Sequence, residues 1–287
     1  MDSLYFKSNS TELHLGSALE VLKTFDNEIV DCVVTSPPYY NLRDYQNDQQ
    51  LGMEKSPVQY VANLVEIFNE IKRILKDDGV VWLNLGDTYA KDKNLLGIPW
   101  RVAFALQESD WYLRSDIIWQ KTSILPESVK DRCTKSHEYI FMLTKSQNYY
   151  YNAEAIKEPT VSKDNYTRDR DNPNNKTNTT AGRSRMGGMK HNNYETRNKR
   201  SVWTMAPHVS KDYHFATYPK ELPMNCIKAS CRENGLVLDP FVGSGTTVQV
   251  AEILGRKSVG IDIQHKYLDL CLKKFSKRLY GFINHEL

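Results

Sequence analysis

Short runs rich in valine and isoleucine alternate along the chain with longer stretches whose apolar residues recur every three or four positions. The first run, residues 28–36 (EIVDCVVTS), reads as a strand buried on both faces. It stops at Pro37-Pro38, because neither residue has an amide hydrogen to continue a ladder. Ser56-Pro57-Val58-Gln59 has the form of a capping box with proline in the first helical turn. Tyr60, Leu64, Phe68, Ile71 and Leu75 then follow at helical spacing, and Gly79 is placed to close that helix. Residues 80–87 predict a second buried strand, residues 99–107 a helix, and residues 115–121 and 138–145 two further strands.

The periodicity then collapses. Residues 157–199 are rich in Asn, Thr, Lys, Arg and Gly, and carry no amphipathic period. They read as a long loop, a loosely structured module, or a segment that orders on binding. Order returns at Ser201-Val202-Trp203-Thr204-Met205. Beyond it the pattern predicts a helix over 220–231, a strand over 235–240, a glycine turn, a helix over 246–254, a strand over 257–263 and a basic amphipathic helix from 264 to about 280. Strands alternating with helices predict an α/β layered fold around a mainly parallel sheet.

Composition narrows the setting. The 287 residues, 40% of them hydrophobic, suffice for one substantial core with an inserted module. No apolar run approaches the roughly 20 residues that span a bilayer. The opening MDSLYFKSNS lacks the basic start and apolar stretch of a signal peptide. Five cysteines without a Cys-x-x-Cys pair argue against disulfides or a zinc ribbon. His208 and His214 are six apart and Cys226 and Cys231 five apart, which is not metal-ligand spacing, so no metal is assigned. A reduced, cytoplasmic protein with no membrane partner is expected. Net charge is only +3, but from Thr160 to Arg200 ten basic residues face four acidic ones. The positive charge is concentrated there, as a solvated loop or as a surface for an anionic partner.

Two motifs carry candidate chemistry. Asp239-Pro240-Phe241-Val242-Gly243-Ser244-Gly245-Thr246 lies between a strand and a helix, where α/β sheets bind nucleotides. Its glycines allow a tight turn and close approach of a ligand. It is not a phosphate-binding loop, and Val248 takes the place of the third glycine of a dinucleotide fingerprint. Asp262 ends the next strand, nineteen positions after Gly243, where a carboxylate can accept from two ribose hydroxyls. The second motif, Thr35-Ser36-Pro37-Pro38-Tyr39, also follows a strand. Its rigid diproline leaves carbonyls and the Ser36 hydroxyl as acceptors, and Tyr39 offers a stacking face, which together suit an aromatic amine. A diproline after a strand also occurs as an ordinary loop.

Together, and in this order, the two motifs resemble the amino methyltransferases of DNA. The similarity belongs to the group in which Ser/Asp-Pro-Pro-Tyr precedes the S-adenosylmethionine-binding element, here by about 200 residues. Asp116-Ile117-Ile118-Trp119-Gln120-Lys121, Ser136-His137-Glu138-Tyr139-Ile140 and Thr217-Tyr218-Pro219 also look similar to that family, so the resemblance covers nearly all but 155–200. It implies a Rossmann-like methyltransferase sheet with permuted motif order. Residues 1–155 would form a catalytic half, 156–205 a target-recognition insertion and 206–287 a donor-binding half. S-adenosylmethionine would be the methyl donor and double-stranded DNA the substrate, with a partner restriction endonuclease in the setting. Residue by residue, Asp239, Pro240, Phe241, Gly243, Gly245 and Thr246 would line the donor, with Asp262 on its ribose and Thr217 and Pro219 near its methionine end. Ser36, Pro37, Pro38 and Tyr39 would hold the flipped base. Arg183, Arg185, Lys190, Arg197, Lys199 and Arg200 would contact DNA. Many relatives have Gly-Asp where this chain has Gly16-Ser17, so no donor contact is assigned there.

Serine before the two prolines favours cytosine N4 as the acceptor, with adenine N6 the alternative; a hydroxyl and a carboxylate can both accept from an amine. Methylation at cytosine C5 is disfavoured, because it needs a thiolate, usually after proline, and no Pro-Cys occurs. RNA or protein methylation and a DNA-binding module without turnover remain as different classes of function.

Overall fold

The computed structural model describes residues 3–42, 47, 50–124, 126–160, 165–168, 189–192, 195–209 and 216–283. They fall into two compact units, Met1–Asn152 with Arg200–Leu287, and Ala153–Lys199. In chain order the first part of the larger unit is β1 (Leu4–Lys7), β2 (Thr11–Leu15), α1 (Ala18–Leu22), β3 (Val30–Thr35), α2 (Pro57–Ile74), β4 (Leu75–Leu85), α3 (Ile98–Glu108), β5 (Tyr112–Lys121) and β6 (His137–Thr144). The smaller unit holds β7 (Glu158–Pro159), β8 (Asn165–Arg168), β9 (Met189–Asn192) and β10 (Thr196–Arg197). The larger unit resumes with β11 (Val202–Met205), β12 (His208–Val209), β13 (Ala216–Thr217), α4 (Glu221–Ser230), β14 (Leu236–Asp239), α5 (Thr246–Ile253), β15 (Lys257–Asp262) and α6 (His265–Ile283).

Nine strands form one sheet in the order β1-β2-β15-β14-β3-β4-β6-β5-β11. The pairs β2–β15, β15–β14, β14–β3, β3–β4 and β5–β11 are parallel. The pairs β1–β2, β4–β6 and β6–β5 are antiparallel, so the sheet is mostly but not wholly parallel. Successive side chains of a strand point to opposite faces, and β3 is buried along its whole length because both faces are covered. Val33 packs with Val81, Leu83, Phe141 and the helices α1 to α3. On the other face Cys32 Sγ lies 3.3 Å from Ser230 Oγ at the end of α4, and Trp82 Nε1 donates to the same hydroxyl at 2.8 Å. Among the described residues no helix is long and apolar enough to cross a membrane.

Three expectations need correction. Ser56 Oγ caps α2 by accepting from Gln59 N at 3.2 Å, but the Gln59 amide donates to Asn63 Oδ1 at 2.9 Å instead of closing the capping box. The helix also stops short of Gly79: Leu75 is already extended (φ −73, ψ 136), and Gly79 lies inside β4, where the Leu75 side chain occupies the space of a Cβ. Finally, Val202–Met205, expected inside the span 156–205, pairs with β5 as the edge strand of the large sheet. The aperiodic stretch itself carries two antiparallel ladders, β7 with β10 and β8 with β9. No hydrophobic alternation announced them, because their strands are polar.

Candidate active site

Strands β3 and β14 are neighbours in the sheet, with Val237 beside Cys32 and Leu238 beside Val33. Two motifs about 200 residues apart in sequence therefore leave the sheet side by side, at the same carboxyl edge. Asp239 staples them together. Its buried carboxylate accepts from Thr35 Oγ1 (2.7 Å), Thr247 Oγ1 (2.6 Å), Tyr218 Oη (3.0 Å) and Phe241 N (3.1 Å). Burial pushes this carboxyl up from its ordinary range, while the four donors pull it back. Both motifs open onto one cavity of about 660 Å³.

The glycine-turn half of the cavity is built largely from backbone. Gly243 and Gly245 take left-handed conformations (φ 50 and 83), and a side chain at Gly245 would collide with Cys271 on α6. Asp262 Oδ2 accepts from Gly243 N at 3.0 Å and Oδ1 from Gln264 N at 2.8 Å. Burial raises the Asp262 carboxyl to about 7, against the lowering effect of those two amides. Gly16 N donates to the Asp262 carbonyl at 3.0 Å, which brings Gly16 and Ser17 onto the same wall. Lys274 Nζ reaches back from α6 to Ser244, at 2.9 Å from its carbonyl and 2.8 Å from its hydroxyl.

The diproline half is built from side chains. Tyr39 Oη donates to Glu138 Oε2 at 2.6 Å, and Asn84 Nδ2 donates to Tyr39 Oη at 2.7 Å and to Glu138 Oε2 at 2.8 Å. Ser36 Oγ donates to Tyr39 Oη at 3.2 Å, and Lys121 Nζ donates to Glu138 Oε1 at 2.5 Å. An ionised carboxylate only accepts and an ammonium or amide N–H only donates, so the direction of every hydroxyl in this cluster is determined. The Ser36 proton points at Tyr39, leaving a Ser36 lone pair for the cavity. Gly86 allows the arrangement, because a Cβ there would stand 2.6 Å from Tyr39 Cε2. The Pro38 carbonyl is taken by Tyr60 Oη at 2.8 Å.

The DNA methylase family (N6_N4_Mtase) matches residues 30–273, most of the chain. The chain belongs to this DNA methylase family. Type II methyltransferase M.Cfr9I of Citrobacter freundii is 42% identical over 294 residues, spanning 93% of this chain and 88% of that protein. Type II methyltransferase M.SmaI of Serratia marcescens is 39% identical over 297 residues, spanning 94% and 92%. Among solved structures, PvuII DNA methyltransferase, named as cytosine-N4-specific, superposes with a TM-score of 0.69 at 19% identity, covering 93% of this chain and 86% of that one. TTHA0409 of Thermus thermophilus, complexed with S-adenosyl-L-methionine, superposes with a TM-score of 0.61 at 23% identity, covering 93% and 95%. These two likenesses concern the fold.

Members of this methylase family use S-adenosylmethionine, and the glycine-turn half has the chemistry to accept it. Asp262 is held by two amides and keeps lone pairs for ribose hydroxyls. Beside it, Phe241 and Ile263 present apolar surface, and the space at Gly243 is open.

Of the residues expected at the donor, Pro240, Phe241, Gly243, Thr246 and Asp262 line the cavity. Asp239 does not: it lies beneath the turn with its carboxylate committed inside the protein. Gly245 shapes the turn from behind, against Cys271. Thr217 pairs with His208 in the β12–β13 ladder, and it is Tyr218, between Thr217 and Pro219, that borders the cavity. Ser36, Pro37, Pro38 and Tyr39 all line it. Sequence reasoning left out Gly16 and Ser17, and it left Asn84, Lys121 and Glu138 without roles. Lys273 and Lys274, read from the sequence only as part of a basic amphipathic helix, also border the cavity. Of the expected DNA contacts, Arg183 and Arg185 lie outside the described residues, and Lys190 lies on β9. Arg197 Nε pairs with Glu158 at 2.9 Å within the smaller unit. Lys199 ends that unit and Arg200 opens the resumed larger one, its carbonyl accepting from Trp203 Nε1 at 2.8 Å.

Proposed function

We propose that this methylase is site-specific, acts on duplex DNA and methylates the exocyclic N4 amine of a flipped cytosine. The observation that carries the reading is the juxtaposition, in one cavity, of a nucleoside-type carboxylate at Asp262 and a Ser36 lone pair oriented by Tyr39 and Glu138. Bound S-adenosylmethionine supplies the activated methyl group, so the reaction needs neither a metal nor a covalent enzyme intermediate.

The exocyclic amine of cytosine is a weak nucleophile, because its lone pair is delocalised into the ring. Ser36 Oγ and the Pro37 carbonyl act as acceptors for its two N–H groups, which favours a pyramidal nitrogen and localises the lone pair. The same acceptors stabilise positive charge as it grows on nitrogen, the converse of an oxyanion hole. The diproline holds these atoms rigidly, so that the amine is presented in a near-attack geometry. A base inside a duplex cannot reach this cavity, so it is flipped out, with Tyr39 as its stacking partner.

Serine at the first position of the motif supports cytosine over adenine, as does the likeness in fold to an enzyme named as cytosine-N4-specific. The Type II names of M.Cfr9I and M.SmaI support a restriction–modification setting with a partner endonuclease. The ten basic residues between Thr160 and Arg200 support a DNA-facing role for that stretch. DNA binding then weakens steeply with salt, and a flat dependence measured by titration between roughly 50 and 200 mM counts against this role.

The deciding experiment incubates the protein with S-adenosylmethionine and unmodified DNA, then analyses the nucleosides by mass spectrometry. N4-methylcytosine is expected. N6-methyladenine keeps the mechanism and overturns the choice of base, while neither product, with donor binding demonstrated, points to another substrate class.

A further inference from the structure

Methylating a neutral amine leaves a proton to be removed, and none of the four residues expected to hold the flipped base, Ser36, Pro37, Pro38 and Tyr39, carries a carboxylate or an imidazole. Ser36 is a hydroxyl, and the prolines offer only carbonyls. Glu138 borders the cavity from β6, and its carboxylate accepts directly from Tyr39 Oη. We propose that Glu138 is the terminal proton acceptor of the reaction, reached through a two-hydroxyl relay from Ser36 Oγ to Tyr39 Oη to Glu138 Oε2. This deepens the reading above and rests on it.

The geometry supports a directed relay. Ser36 Oγ–H donates to Tyr39 Oη at 3.2 Å, and Tyr39 Oη–H donates to Glu138 Oε2 at 2.6 Å. Asn84 Nδ2 donates to both Tyr39 Oη and Glu138 Oε2, which fills the remaining acceptor position of the phenol and keeps its proton turned towards Glu138. Lys121 donates to the other carboxylate oxygen, Oε1. That leaves Oε2 as the oxygen facing the relay. The amide of Asn84 cannot titrate. Tyr39 stays protonated at rest, because burial and then the neighbouring Glu138 charge push its hydroxyl well above the ordinary tyrosine range.

The step balances. As the N–C bond forms on the base, the sulfur–methyl bond of the donor breaks with its electron pair left on sulfur, and the N–H bond breaks with its proton going to Ser36 Oγ. The Ser36 proton passes to Tyr39 Oη, and the Tyr39 proton passes to Glu138 Oε2. Both hydroxyls end as hydroxyls, and Glu138 changes from carboxylate to carboxylic acid. The positive charge lost from the sulfonium and the negative charge lost from Glu138 cancel. Opening of the site to water then returns the proton to solvent. The charged groups facing Glu138 are Lys121 on β5 and Lys135 just before β6.

Glu138→Gln tests this, because glutamine keeps an acceptor for Tyr39 but cannot take up the proton at neutral pH. Tyr39→Phe is the second variant; it keeps an aromatic ring and cuts the relay in the middle. Each is expected to lower the single-turnover rate by about 100-fold, the scale of general-base catalysis. Equilibrium binding of S-adenosylmethionine and of duplex DNA, read by fluorescence, stays within about twofold of wild type in both. The pH profile of the single-turnover rate is expected to differ between wild type and Glu138→Gln. Because the two residues act in series, the double variant is no slower than the slower single one. Unchanged rates, an unchanged pH profile in Glu138→Gln, or losses that multiply in the double variant overturn the relay while amine methylation stands. A wild-type protein that binds the donor and DNA but methylates no amine overturns the underlying reading, and the relay with it.

Discussion

In the glycine-turn half of the cavity, the groups that matter lie within one strand–turn–helix and the strand after it, residues 239–264, joined by Gly16 and Lys274. In the diproline half they are side chains at 36, 39, 84, 121 and 138, brought together from the ends of three strands and the turn after β3. The first is organised by peptide amides and by glycines that permit positive φ, the second by a hydrogen-bonded cluster in which each member orients the next. A backbone site tolerates changes of side chain but not changes of conformation. A side-chain cluster fails when any one member is lost, since each polar atom is then left with an unmet partner.

The contrast can be broken most sharply at Ser36. Ser36→Ala removes the acceptor facing the cavity and is expected to slow single-turnover methylation about 100- to 1,000-fold, the cost of losing one transition-state hydrogen bond in a preorganised site. Donor binding, measured by calorimetry, stays unchanged, because the glycine-turn half does not use that hydroxyl. Gly86→Ala follows, without touching any polar group. Its new Cβ would stand 2.6 Å from Tyr39 Cε2, so the ring must move and carry its hydroxyl away from Glu138. Turnover falls roughly tenfold to 100-fold by misplacement alone, again with donor binding intact.

The glycine-turn half responds to pH instead. The Asp262 carboxyl is raised from 3.8 to about 7 in the folded protein. A raised carboxyl favours folding below its unfolded value, and that contribution is lost as pH rises through about 7. Donor affinity runs the opposite way, because ribose hydroxyls need an ionised acceptor. Calorimetric titration is expected to show binding about tenfold weaker at about pH 6 than at about pH 8, and Asp262→Asn to bind weakly with no such slope. The smallest effect is expected at Lys274, a half-buried cation that holds Ser244. Lys274→Ala should weaken donor binding by less than about 1 kcal/mol, given its contact with solvent, and leave single-turnover methylation at saturating donor unchanged.

How far each region could be read in the sequence follows from the same difference. The strands at 30–35, 236–239 and 257–262 and the long helix after Ser56 were legible, because runs of valine and isoleucine and a spacing of three and four are local signals. The hairpin β1–β2 and the short α1 were missed, although Leu13 and Leu22 are fully buried and alternation from Thr11 to Leu15 marked one strand. Five-residue elements give too few periods to stand out. Strands β8 and β9 had no signal to find, since their residues are polar almost throughout. At the site, Asp262 was found from its spacing to Gly243, whereas Glu138 drew notice only as part of a passage similar to the family, with no role, and Asn84 only as part of an apolar run. Asp239 was placed at the ligand because it stands beside the glycines in sequence, yet the chain turns it inward onto Thr35, Thr247 and Tyr218.

The sequence by itself determined what depends on neighbours along the chain: the alternating elements, the glycine turn with its distal carboxylate, the diproline strand end and the concentration of positive charge before Arg200. Only the tertiary structure decided that β3 and β14 are adjacent, that Asp239 holds them together, and that Glu138, Asn84 and Lys121 converge on Tyr39. The reason is physical. Backbone conformation is set by interactions a few residues in range, whereas the partner of a buried hydroxyl is whichever polar atom the packing of the sheet brings within hydrogen-bonding distance.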